Sequence, residues 1–186
     1  MAKGLNEMTL EELWQLFPIS LEEHDPCWVQ WYREESAVLA ALLPGAKISH
    51  IGSTAIPGIW AKPTVDILAE VGPEQDMKSV RQRLESGGWV CMAEEENRIS
   101  FNKGYTENGF DERVFHLHLR HEGDNDEIYF RDYLISHREV AEEYERLKLS
   151  LWKKFEHDRD GYTQSKTGFV RKYTEIAKGR GQCNTP

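Results

Sequence analysis

Three short stretches hold residues whose types and spacing could do chemistry. The first is "HIGST", residues 50–54, where Gly52 and Ser53 follow a short apolar run. If the chain turns helically there, free N–H groups from Ser53 through Thr54 to Ala55 point outward and can bind phosphate. A strand-ending turn, with glycine for backbone freedom and Ser or Thr as cap, fits the same residues. The second is Asp66, a carboxylate set in the apolar run "TVDILAEV". Burying such a charge is costly unless it is paired, hydrogen-bonded or metal-bound, so a rim position on an open side of a sheet is expected. Glu70 points the same way but lies about 13 Å further along the strand, and a solvated strand end is expected for it. The third stretch is "FHLHL". His116 and His118 fall on one face of a strand, with Phe115, Leu117 and Leu119 on the other. Imidazoles two residues apart stand about 6.6 Å apart at Cα, a gap that two converging side chains can close on one ion. One packed and one solvated histidine is the alternative.

Composition bounds what such residues could serve. The chain has 186 residues, 39% hydrophobic and 30% charged, which suits one globular domain with a terminal extension. No apolar run approaches the roughly 20 residues of a membrane span, and the start shows no apolar signal segment. Cys27, Cys91 and Cys183 are single and widely spaced, which suits neither a disulfide framework nor a cysteine zinc site. A cytoplasmic location, with no membrane partner, is therefore expected. The net charge of -9 disfavours nucleic acid as a partner but leaves room for a small phosphorylated ligand held by a few local cations.

The elements that must position these residues can be read from periodicity and punctuation. Thr9 and Glu12 form a capping box for a short helix ending near Phe17, and Asp25 with Pro26 opens a second helix that ends at Pro44-Gly45. "KISHI" and "TVDILAEV" read as strands, the second with Val65, Ile67, Ala69 and Val71 on one face. A helix is expected from about Pro73 to Ser86. "WVCM", "RISFNK" and "RVFHLHLR" read as strands, with "YTENGFDE" as the turn before the last. Three helices follow, the first capped by Asp126, the second opened by a Ser136–Glu139 capping box, the third after "HDRDGYT" with Gly179 as its stop. The order αα–ββ–α–βββ–ααα implies an α/β (α+β) domain, a mixed sheet with a helical C-terminal layer. Residues 1–23 read as an extension with a short helix, 24–178 as the domain, and 179–186 as a loose tail.

In this order "HIGSTAIPGIWAKPTVDIL", "FNKGY", "FHLHL", "FRDYLISHREVAEEYERLK" and "DRDGYTQSKTGFV" resemble the GrpB family, across residues 24 to 177. That family is assigned to the DNA-polymerase-beta-like nucleotidyltransferases. Some relatives carry the domain fused to dephospho-coenzyme A kinase. The resemblance implies a nucleotidyltransferase-like fold in which Gly52, Ser53 and Thr54 hold phosphate and Asp66 matches the first acid of a metal-binding pair. Leu68 stands where the second acid is expected, and His116 and His118 stand where a later strand would carry a third. Those histidines would be metal ligands or, for His118, an acid–base group beside Asp66. Lys62, Lys103, Arg131, Lys148 and Lys166 recur inside the matched motifs and could neutralise phosphate, Lys62 being the best placed. For Arg131 a surface pair is an equal explanation, and for Lys148 the better one. The implied activity is metal-dependent nucleotidyl transfer to a small-molecule or protein acceptor, with Mg2+ or Mn2+ as cofactor. The alternatives are a nucleotide-binding module without turnover and a metal-dependent phosphohydrolase. Imidazole is a softer ligand than carboxylate, so Mn2+ is expected to serve better than Mg2+.

Overall fold

A computed structural model describes residues 4–182. Five strands form one sheet in the order β1 (Lys47–Ile51), β2 (Val65–Val71), β5 (Gly109–His121), β4 (Arg98–Thr106) and β3 (Val90–Glu94). Only β2 and β5 run parallel, and the long crossover between them carries α3 (Met77–Ser86), β3 and β4. This is a mixed α/β fold in the expected element order.

Alternation along β2 sorts its residues between two environments. Val65, Ile67, Ala69 and Val71 join Phe101, Leu117 and Leu119 in a core closed by α2 (Cys27–Leu42) and α3. A second core lies within the C-terminal layer of α4 (Asp126–Ser136), α5 (Arg138–Trp152) and α6 (Arg159–Gln182), where Phe130, Tyr144 and Tyr173 pack with Ile56 and Ile59. Asp66, His116 and His118 belong to neither core. They lie on the sheet face turned toward the helical layer.

Polar braces hold that layer to β1, to the loop between β1 and β2, and to the segment before α2. Arg138 donates to the carbonyls of Pro57 (3.0 Å) and Gly58 (3.1 Å), and the Trp60 N–H donates to Glu145 at 2.6 Å. Arg131 Nη1 donates to the His50 carbonyl at 2.6 Å, and Trp152 Nε1 to the Ile19 carbonyl at 2.7 Å.

Some local signals hold and others fail, and the cap of α4 is Asn125 with the expected Asp126 as its first residue. The Thr9–Glu12 capping box opens α1 (Leu10–Leu16) as expected. Asp25 accepts from the Cys27 N–H at 2.8 Å, which leaves Pro26 just outside α2. The helix expected from Pro73 starts at Met77, because Asp76 takes the Ser79 N–H as its cap. "YTENGFDE" is mostly strand: Tyr105 pairs with Phe110 and Thr106 with Gly109, leaving Glu107-Asn108 as the turn. The Ser136–Glu139 box does not form, since the Ser136 hydroxyl donates back to the Asp132 carbonyl at 2.6 Å. Gly179 does not stop α6, which continues to Gln182, so residues 179–182 of the expected loose tail are helix, and residues 183–186 lie outside the described ones. Glu70 is only 4% exposed and accepts from the Gly123 N–H and Asn125 Nδ2, both at 3.0 Å. It pins the loop before α4 instead of ending in water. Among the described residues no helix is long and apolar enough to cross a membrane.

Candidate functional site

The parallel pairing of β2 with β5 sets Asp66 opposite His116, and Leu68 opposite His118. Both imidazoles reach the same carboxylate oxygen: His116 Nδ1 lies 3.2 Å and His118 Nε2 3.7 Å from Asp66 Oδ1. His116 Nε2 meets the Tyr105 hydroxyl at 2.8 Å, and that hydroxyl accepts from Arg159 Nη2 at 2.9 Å. Arginine can only donate, so Tyr105 accepts from it and donates onward to His116 Nε2. A neutral His116 then keeps its proton on Nδ1 and donates to Asp66. Burial favours that neutral form, lowering the His116 pKa against the attraction of Asp66. Burial also pushes the Asp66 carboxyl up, but hydrogen bonds and charge from His116 and His118 hold it well below the usual carboxylate range. The result is an ionised carboxylate fixed by a relay that ends at Arg159.

Gly52 backs directly onto that carboxylate. Its φ is +71°, and a Cβ there would sit 2.3 Å from Asp66 Oδ2, so no side chain is accommodated. Ser53 opens a single helical turn and hydrogen-bonds Tyr144, whose pKa burial raises to about 12. Thr54 turns inward instead of toward the cleft. It is 1% exposed, its Oγ1 meets His50 Nε2 at 3.0 Å and donates to the Thr64 carbonyl at 3.3 Å. His50 stacks on Tyr32 and is kept neutral by burial, with a pKa of about 4. The Thr54 side chain therefore ties β1 to the loop before β2, and only its backbone N–H is left for the expected phosphate contact.

Between the sheet and the helical layer lies a cavity of about 700 Å³, lined by Gly52, Ser53, Asp66 and His116 on the sheet side. Lys62, Lys148, Lys166 and Arg159 face it from the loop before β2, α5 and α6. Burial lowers Lys148 to about 7, Lys166 to about 7 and Lys62 to about 8, and repulsion among neighbouring cations adds to each shift. Lys148 is 2% exposed and donates to the Trp60 carbonyl, which corrects its expected place in a surface pair. Lys103 stands on the rim but is paired with Glu35 at 2.8 Å. Arg131 is outside the cavity, bonded to the His50 carbonyl and to Asp132. The cavity thus concentrates cations in a protein of net charge -9. Desolvated like charges repel one another, so this arrangement favours an anion between them.

The donor set fits an ion-binding role only narrowly. Among the described residues no three His, Cys, Asp or Glu side chains are arranged to hold a metal. Leu68 is fully buried, and both ring nitrogens of His116 are already engaged. A pair of Mg2+ ions, which needs several anionic oxygens, does not fit. A single Mg2+ does, because that ion binds through one carboxylate plus the phosphates of its ligand. His116 is therefore a positioning residue for Asp66 and not a metal ligand. His118, 28% exposed at its side chain, reaches Asp66 but does not line the cavity.

Sequence reasoning overlooked Arg159, Tyr105, Tyr144 and Tyr162. The motif "DRDGYTQSK" holds Arg159, Tyr162 and Lys166 at steps of three and four, the spacing that puts them on one helix face, and that spacing was the available signal. The Tyr162 hydroxyl is buried on the cavity wall with no partner among the described residues.

Comparisons with known proteins agree with this architecture. Glutamate-rich protein GrpB of Alkalihalophilus pseudofirmus is 33% identical over 162 residues, 82% of this chain and 91% of its own. A UPF0157 protein of Pseudomonas aeruginosa is 36% identical over 151 residues, and YqkA of Bacillus subtilis 29% over 195. This chain spans only 62% and 55% of the lengths of those two relatives. The crystal structure of GrpB from Enterococcus faecalis superposes with a TM-score of 0.76 at 26% identity, covering 88% of this chain and 99% of that one. A likeness to Cid1 poly(U) polymerase, with a TM-score of 0.48 at 12% identity, is too slight to bear on activity. The model of the family described as GrpB protein matches residues 18–175, and the chain belongs to that family.

Proposed function

We propose that the cavity binds the phosphates of a nucleotide or related phosphorylated small molecule, and that the protein transfers a nucleotidyl group to a small-molecule or protein acceptor. The observation that carries the reading is the convergence of Lys62, Lys148, Lys166 and Arg159 opposite the Gly52-Ser53 turn. Such a set neutralises a polyphosphate, and oriented N–H groups at the turn complete its hydrogen bonds.

In the transfer, an acceptor hydroxyl attacks the α-phosphorus and forms the new P–O bond, its proton passes to water, and the bond to pyrophosphate breaks with its electron pair leaving on the pyrophosphate. The lysines stabilise charge that builds on the leaving pyrophosphate. Asp66, fixed by His116, Tyr105 and Arg159, is the carboxylate beside the turn and orients the acceptor hydroxyl by accepting its hydrogen bond. A single divalent ion, Mg2+ or Mn2+, would be held by Asp66 and the ligand's own phosphates, and would supply further charge stabilisation. The free thiols of Cys27 and Cys91 support a cytoplasmic setting.

Leu68, buried where a second acid would serve, favours a second reading in which the cavity binds its ligand without turnover. Calorimetry with a nucleotide panel, followed by product analysis with labelled nucleotide and candidate acceptors, separates the two. Binding with a labelled adduct supports transfer, binding without product supports the module, and no binding under any condition rejects both.

A further inference from the structure

The cavity has a second wall of opposite character. Its lining continues past the lysines to Leu10, Leu13 and Trp14 of α1 and to Val90 and Met92 of β3. Leu10, Val90 and Met92 are large apolar side chains exposed by 51%, 60% and 57%. Helix α1 has no buried residue, and its Leu10, Leu13 and Trp14 line this cavity. The helix is nevertheless firmly seated. Phe17, just beyond it, packs on Tyr105 and Phe110 at ring-centroid distances of 4.8 and 5.1 Å. The Ile19 N–H donates to the Glu156 carbonyl at 2.8 Å. The family match begins at residue 18, so α1 lies outside the region this chain shares with the family model.

Exposed apolar side chains gathered on one concave surface mark a binding site, and this group is continuous with a cationic pocket. We propose that α1 and β3 form a subsite for the aliphatic part of the ligand or acceptor. The substrate class is then a phosphorylated small molecule that carries an apolar group. The argument rests on the phosphate-binding reading above and adds the chemistry at the far end of the same ligand. The occupant is fixed by charge and shape. An anionic head meets Lys62, Lys148 and Lys166, while an uncharged aliphatic portion covers Leu10, Val90 and Met92. Met92 is unbranched and adaptable, which suits an alkyl group more than a single rigid ring. A cavity of about 700 Å³ has room for both ends of a drug-sized ligand.

The test is calorimetry with inorganic phosphate and with ethyl, butyl and hexyl phosphate, run on the wild type, Leu10→Ser/Met92→Ser and Lys166→Gln. Both serine positions are exposed, so the double variant keeps its fold. In the wild type, affinity should rise about threefold to fourfold per buried methylene. In the double variant that rise should flatten, with inorganic phosphate affinity unchanged, and Lys166→Gln should weaken every probe alike. Phosphate binding without any chain-length dependence would overturn the subsite and leave the phosphate reading standing. A rise that persists undiminished in the double variant would overturn it as well. Failure of every probe to bind would overturn both. Sedimentation showing a wild-type dimer that the double variant dissolves would assign the apolar wall to contact between copies and end the proposal.

Discussion

Asp66 carries a different burden from the carboxylates around it. Its carboxylate is held by two imidazoles and backed by Gly52, so its contribution is position more than mere charge. Asp66→Asn should leave the fold intact, because Asn keeps the shape, and should remove the metal-dependent part of ligand binding in calorimetry. Ser53→Ala should weaken phosphate affinity by about tenfold to a hundredfold, the worth of one hydrogen bond to a charged group. Equal affinity in the wild type and both variants would remove these residues from the site. Lys166 offers a test of opposite sign. Its folded pKa of about 7 lies below the ordinary lysine value of 10.5, so over that range the unfolded chain binds more protons. Burying this lysine therefore costs stability at neutral pH, and the cost fades as pH rises toward the unfolded value. Lys166→Met should raise the ligand-free melting temperature by a few degrees and weaken phosphate binding without abolishing it. About 2–4 °C per kcal/mol is expected for a chain of this size. A lower melting temperature would contradict the cost assigned to its burial.

At the scale of elements, strand periodicity made much of the site legible. The alternation in "TVDILAEV" and "FHLHL" placed Asp66, His116 and His118 on one face, and the parallel register of β2 with β5 brought them together. What stayed hidden depends on contacts between distant segments. Lys148 occupies a polar position in an amphipathic helix, and only the loop carrying Trp60, folded against α5, buries it. "YTENGFDE" has turn composition, yet Tyr105 and Phe110 pair there because Phe17 packs on both. Gly179 meets nothing that would force the chain out of helix, so α6 passes through it. Glu70 is the clearest case: its strand position suggested solvent, but the loop before α4 covers it. Glu70→Ala should remove the hydrogen bonds that the Gly123 N–H and the Asn125 amide donate to a charged acceptor, worth about 1.5–3 kcal/mol each. Thermal melting should fall by several degrees with ligand affinity little changed. An unaltered melt would show that the loop does not depend on this carboxylate.

At the scale of the whole molecule, the charge distribution is the central fact. A chain of net charge -9 gathers Lys62, Lys148, Lys166 and Arg159 around one cavity, with three of those amines held near neutrality by burial. A phosphate ligand reverses that balance by favouring the charged ammonium forms. Affinity for a phosphate monoester should climb as the ligand's second ionisation, near about pH 6, completes. It should then decline above pH 7 to 8 as the lysines lose protons. The same linkage gives the most direct measurement: calorimetry of nucleotide binding near pH 7.5, repeated in buffers of different ionisation enthalpy. The account predicts net uptake of about one proton or more per ligand bound, reduced in Lys166→Met. Binding with no proton uptake, or uptake undiminished in that variant, would contradict the claim that these buried lysines hold the phosphates.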